Sequence, residues 1–132
     1  MKLTIVTPEK KVLDSVTVQE LLVPGAKGEI GILPGHAPLV STLGTGVLKY
    51  RLPKEKTFKQ MAVSWGYCEV QADKVVVLAE SVETKKELDK HKTTETLKDI
   101  LKQLENIHLS PEEIRKLRKK EEEQRTFLKL LD

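Results

Sequence analysis

A nucleophile with a base beside it would make this chain an enzyme, and one cysteine and three histidines are available to build such a pair. Cys68 stands in the alternating segment Trp65 to Val70, where Glu69 and Gln71 point to the other face; the thiol is expected to be buried and inert. His36 falls in a loop, His91 in a helical pattern and His108 in a turn, with no second imidazole or thiol at ligand spacing. Gly25, Gly28, Gly31 and Gly35 are spaced for turns, and no glycine loop ends on a lysine that would cradle a phosphate. What remains is the chemistry of contact. Gly28 to Pro38 starts as a short strand, with Ile30 and Ile32 alternating, and is stopped by Pro34 and Gly35. Its prolines hold His36 in one geometry, which suits a docking surface. A second candidate is the basic run Arg115, Lys116, Arg118, Lys119 and Lys120, followed at once by Glu121, Glu122 and Glu123. Pairing along the helix reduces its field, at about 0.2–0.5 kcal/mol per pair.

The elements that must position these residues fall into two regimes. Residues 1–84 carry 10 basic and 9 acidic side chains; the shorter stretch 85–132 carries 13 and 11. The overall charge of +3 is small, and the contents of 39% apolar and 33% charged residues exclude both a disordered chain and an apolar membrane span. A single cysteine excludes an internal disulfide. Met1 to Val6 alternates as a strand does and lacks the apolar core of a signal peptide, so the chain is expected to stay in the cytosol.

Up to Ala79 the periodicity is that of strands: Leu3 and Ile5, Val16 and Val18, Ile30 and Ile32, then Leu48, Tyr50 and Leu52. Turn residues at Pro8–Lys10, Pro24–Lys27, Gly44–Gly46, Pro53–Lys56 and Asp73 divide them, which predicts an antiparallel β-sandwich or barrel. The apolar phase slips at Glu20 and Leu21, as at a bulge. Val75 to Ala79, apolar throughout, reads as a strand buried on both faces. From Thr84, which has Glu87 at capping-box spacing, a helix is predicted over residues 85–106, with Leu97, Ile100, Leu101 and Leu104 on one face. A second starts at Pro111, with Ser110 as cap and Glu113 three residues on. This second helix is poor in core residues and needs a partner surface.

The spacing of Gly28, Glu29, Gly31, Leu33, Pro34, His36 and Pro38, continued by Trp65 to Val70 and Val75 to Glu80, resembles the N-terminal domain of the epsilon subunit of F-type ATP synthases. The resemblance implies a β-sandwich, residues 1–84, followed by a two-helix regulatory domain, residues 85–132. It implies a noncatalytic subunit of the central stalk on the cytoplasmic face of a bacterial inner membrane, attached to the membrane only through the complex. The sandwich would bind the gamma subunit and set Glu29, Pro34 and His36 against the ring of c subunits, coupling proton flow to ATP synthesis. The helices would brake ATP hydrolysis when extended, with Arg115, Lys116, Arg118, Lys119 and Lys120 meeting the beta subunits. Some members bind ATP as a regulatory ligand through Ile or Leu, Asp, two residues, Arg and Ala. Here Leu88 and Asp89 match, Lys92 replaces the arginine and Thr93 the alanine, and lysine lacks the bidentate fork. No cofactor is required. No alanine follows Ala79, and β-branched Thr93, Thr94 and Thr96 argue against a closely packed, folded-down hairpin.

Two other classes compete. A nucleic-acid-binding β-barrel with a basic helical tail needs exposed aromatics among its cations. Aromatics are 4% of the chain, and Phe58, Trp65, Tyr50 and Tyr67 lie in strand patterns that read as core. A small enzyme built on Cys68 or His36 lacks the partner groups described above.

Overall fold

The computed structural model describes residues 1–132. Eight strands precede two helices: β1 (Lys2–Val6), β2 (Lys11–Thr17), β3 (Glu20–Gly25), β4 (Gly28–Ile32), β5 (Leu39–Leu43), β6 (Gly46–Arg51), β7 (Lys59–Gln71), β8 (Lys74–Glu83), α1 (Lys90–Leu104) and α2 (Pro111–Leu131). The strands form one sheet in the order β2-β1-β8-β7-β5-β3-β4, with β6 joining β3 to β7, so that it wraps into a β-sandwich. Every pairing is antiparallel except that of β1 with β8.

The long strand β7 makes the sandwich. Its first half, Lys59–Val63, pairs with β6, and its second, Gly66–Val70, pairs with β5. Between the halves the inward positions change phase, from Met61 and Val63 to Cys68 and Val70. The phase changes across Trp65, at φ +48°, and Gly66, at φ +157°. Strand β8 changes phase at the same level, from Val75, Val77 and Ala79 to Val82. A Cβ on Gly66 would lie 1.8 Å from the Leu78 carbonyl oxygen, so no other residue fits where the two strands bend together. The inward side chains of both layers make one core of 17 buried residues between Leu3 and Val82.

Several expectations are corrected. The slip at Glu20 is no bulge: β2 ends at Thr17, Val18 is buried in the connection and β3 begins at Glu20. The bulge lies earlier, at Ser15 (φ 52°), whose N–H donates to Thr4 Oγ1 at 3.0 Å where the β1–β2 register shifts. Val75 to Ala79 is not buried on both faces, because Leu78 is half exposed and Val76 partly so. The first helix starts at Lys90 rather than at residue 85 and ends at Leu104. Thr84 makes no side-chain cap, and Lys85–Glu87 form only a single 3-10 turn. Asp89 is the cap, accepting from the N–H groups of His91 (2.9 Å) and Lys92 (3.2 Å). The second helix starts as its spacing predicts, with the Ser110–Glu113 capping box closed in both directions.

The hairpin is folded down, with α1 against α2 and α2 against β6 and β7. Thr93 and Thr126 are buried in it. Each hydroxyl donates to a carbonyl of its own helix, Thr93 to Asp89 at 2.8 Å and Thr126 to Glu122 at 2.9 Å. Each hydroxyl is thus satisfied within its own helix, so burying it in the hairpin leaves no unpaired donor. Gly66→Ala is expected to destabilise the sandwich by more than about 2 kcal/mol, read as a lowered urea midpoint in equilibrium unfolding.

Candidate functional site

The proline corner is built by the β3–β4 hairpin and the turn after it. Gly28–Ile32 is a strand at the sheet edge, with Glu29 opposite Pro24 and exposed. Leu33 to His36 then turn: the His36 N–H donates to the Leu33 carbonyl at 3.0 Å, and Gly35, at φ +83°, follows Pro34. Proline followed by a left-handed glycine fixes that turn. His36 Nδ1 lies 2.7 Å from the Ala37 carbonyl oxygen, so that nitrogen carries the proton. Pro34 and Gly35 are exposed and His36 half-buried. The helices make their main contacts with each other and with β6 and β7. Only Lys129, in the last turn of α2, reaches the depression of about 380 Å³ beside Glu29.

A second surface is the outward face of β5, β7, β8 and β1. Across these strands Thr42 stands opposite Tyr67, Tyr67 opposite Leu78 and Leu78 opposite Val6, so the four form one row. Val40 is 71% exposed, Tyr67 58% and Leu78 50%, beside an open depression of about 660 Å³. Tyr67 thus departs from the core role its strand pattern predicts: past Gly66 the phase of β7 has changed, and position 67 faces outward. Apolar side chains are thus left open to solvent on this face, among Thr42, Glu69 and Thr4.

The third is the seam under α2. Ala62 and Ser64 on β7 offer small side chains to the helix; Phe127 and Leu130 pack against Ala62, with Val47 and Leu88 beside them. Toward the N-terminal end of the helix the seam turns polar. Lys119 Nζ stands 4.3 Å above the centre of the Trp65 ring and 3.8 Å from Glu80, and Ser64 Oγ donates to Glu123 at 3.3 Å. The basic run is therefore not one free patch. Arg118 and Arg125 hold Glu121 between them at 2.8 and 2.9 Å, which keeps its carboxyl below the usual range, and Lys116 pairs with Glu112. Arg115 and Lys120 make no ion pair.

At the foot of α1, Leu88, Asp89 and Lys92 line a cavity of about 280 Å³ with Glu87, Thr93 and Gln124. Leu88 is partly buried against the Phe127 cluster, and the Asp89 carboxylate is engaged as the helix cap. A phosphate there would meet one cation beside two carboxylates. Burial pushes the Cys68 thiol up to about 11, so it stays protonated at neutral pH. No group of three or more His, Cys, Asp or Glu is placed to hold a metal ion, and no helix is long and apolar enough to cross a membrane.

Residues 1–85 match the family model of the ATP synthase delta/epsilon chain β-sandwich domain. An ATP synthase epsilon chain of Bdellovibrio bacteriovorus is 48% identical over 97 residues, which cover 74% of this chain and 69% of that one. The chain belongs to the ATP synthase delta/epsilon family. A further epsilon chain, of Trichlorobacter lovleyi, is 46% identical over 107 residues, 79% of this chain and 75% of the relative. The delta/epsilon fold extends to distant neighbours. A chain of the Euglena gracilis mitochondrial ATP synthase, solved with OSCP, F1 and c-ring, superposes with a TM-score of 0.83 at 19% identity over 96% of this chain and 78% of its own. One from the central stalk and c-ring of the Tetrahymena thermophila enzyme gives 0.70 at 17% over 100% and 96%.

Two features of this delta/epsilon chain escape sequence reasoning. The open apolar row had a signal, because a continuous apolar run such as Val75 to Ala79 in an antiparallel sheet leaves every second side chain outside the core. The Trp65–Lys119 contact had none, since it joins residues 54 positions apart through the folded-down hairpin. Asp89→Ala is expected to cost α1 about 1 kcal/mol, seen as faster amide exchange at His91 and Lys92 with the sandwich amides unchanged.

Proposed function

We propose that the chain is the noncatalytic epsilon subunit of a proton-translocating F-type ATP synthase. It sits in the central stalk on the cytoplasmic face of a bacterial inner membrane and couples rotation to ATP synthesis. Its two units are the sandwich, residues 1–84, which grips the rotor, and the hairpin, residues 85–132, which restrains ATP hydrolysis. The observation that carries this reading is the division of the sandwich surface. One layer holds the chain's own helix, while the other presents Val40, Tyr67 and Leu78 with nothing of this chain over them. In this reading the gamma subunit occupies that open layer and the exposed corner of Glu29, Pro34 and His36 contacts the c ring; membership of the delta/epsilon family supports it.

The brake follows from the seam. Only Phe127 and Leu130 of α2 are large, apolar and buried, and each contributes roughly 1.5–3 kcal/mol. Two such anchors hold the hairpin by only a few kcal/mol, so contacts of similar strength elsewhere in the complex can draw it off the sheet. Once released, Arg115, Lys116, Arg118, Lys119 and Lys120 are free to meet carboxylates of the beta subunits. No cofactor is needed for either state. With Glu87 and Asp89 beside Lys92, closure of the hairpin rests on protein contacts rather than on ATP.

The core of the sandwich lies wholly between Leu3 and Val82, so a chain ending at Thr84 keeps it. In the reconstituted complex that truncation is expected to raise ATP hydrolysis severalfold while retaining gamma binding. Unchanged hydrolysis would remove the brake, and failure of the full chain to bind gamma would remove the subunit assignment. Tyr67→Asp is expected to weaken gamma binding by about tenfold or more, about 1.4 kcal/mol, at unchanged Tm, measured by calorimetric titration.

A further inference from the structure

Where α2 ends against the sandwich, lysines from three elements line one cavity of about 690 Å³. Lys59 comes from the start of β7, Lys85 and Lys86 from the 3-10 turn after β8, and Lys129 from the last turn of α2. All of them are exposed, and none makes an ion pair within the chain. The carboxylate in the lining, Asp132, is engaged with Lys90 at 3.3 Å. Like charges gathered without counter-charges repel one another, and an anion held among them removes that repulsion.

The wall of the cavity supplies an independent sign of a ligand. Tyr50, opposite Lys59 on the β6–β7 ladder, also lines it and is only 7% exposed. Its hydroxyl makes no hydrogen bond within the chain, yet the fully covered unpaired atoms are Thr45 Oγ1 and Trp65 Nε1, not this one. The phenol oxygen is therefore open to the cavity that its residue lines. Burial, and then the charge of Glu55, push the phenol up, so it keeps its proton and can donate. A hydroxyl nearly enclosed by its own chain and left unpaired calls for a partner from outside that chain.

We propose that this cavity binds a multiply charged phosphate group, with Lys59, Lys85, Lys86 and Lys129 neutralising its charge and Tyr50 donating its hydroxyl to one of its oxygens.

The donor set selects the ligand class. Each ammonium is a compact charge with three rotatable donors, which suits the tetrahedral oxygens of a phosphate. The planar fork that grips a carboxylate belongs to arginine, and no arginine lines the cavity. A free phosphate anion and the headgroup of an anionic lipid both carry such a group. The site is separate from the foot of α1, where Lys92 stands beside Glu87 and Asp89. It belongs to this chain alone, whatever complex the chain joins.

Calorimetric titration of the full chain with inorganic pyrophosphate at low salt is expected to show a single site with a Kd below about 1 mM. K85E/K129E, at exposed positions, is expected to weaken binding by about tenfold or more. K98E/K102E makes the same change of net charge at exposed positions of α1 and is expected to leave the Kd within about twofold. Y50F removes only the unpaired hydroxyl, which costs the empty protein no hydrogen bond, and is expected to weaken binding by about tenfold at unchanged Tm. Cosedimentation with phosphatidylglycerol vesicles in the absence of pyrophosphate binding, lost in K85E/K129E and weakened in Y50F, would assign the phosphate to a lipid headgroup. Binding to neither probe overturns the site. Equal weakening by the two charge-reversal pairs, or an unaffected Y50F, reduces the binding to diffuse surface attraction and overturns the proposal as well.

Discussion

Gly66 and the Leu78 carbonyl come so close that no side chain fits between them, and the architecture depends on this contact. It lets β7 and β8 bend together at Trp65 and Ala79, so that one pair of strands belongs to both layers of the sandwich. The bend also decides what faces outward. Before it the outward positions of β7 are Ala62 and Ser64, small enough for a helix to lie on; after it they are Tyr67 and Glu69, which pair with Leu78 and Val76 across the sheet. A single shift of phase thus produces two outward faces of opposite character.

The two faces differ in what covers them. The first is closed by this chain, through a seam whose apolar part is short and whose polar part is crowded with charge. Phe127 and Leu130 anchor one end of α2. At the other end Lys119 rests on Trp65, and Glu123 sits over Ser64. The second is left open, with Val40, Tyr67 and Leu78 exposed on it.

Much of this was legible in the sequence. Alternation located the strands, proline and glycine located the turns, and Ser110, Pro111 and Glu113 located the start of α2 because capping is a local rule. The failures were non-local. Tyr67 was read as core because alternation is counted within a strand, and the count restarts at Gly66 for a reason that lies on β8. Asp89 carried a motif resemblance, yet its carboxylate serves the backbone of α1. Thr93, Thr94 and Thr96 looked too bulky for a tight hairpin, yet each hydroxyl donates to a carbonyl one turn back in its own helix. The basic run looked uniform, whereas Glu112, Glu121, Glu80 and Trp65 divide it residue by residue.

The claim that the outward face of β5, β7, β8 and β1 receives the gamma subunit is tested most directly by cysteine labelling. Cys68 is buried and protonated, so a single introduced thiol reports alone. Val40→Cys lies on the open face and Lys116→Cys on the solvent side of α2. Binding of gamma is expected to slow maleimide labelling at the first by about tenfold or more and to leave the second unchanged. Protection at position 116 with free labelling at position 40 would contradict the account.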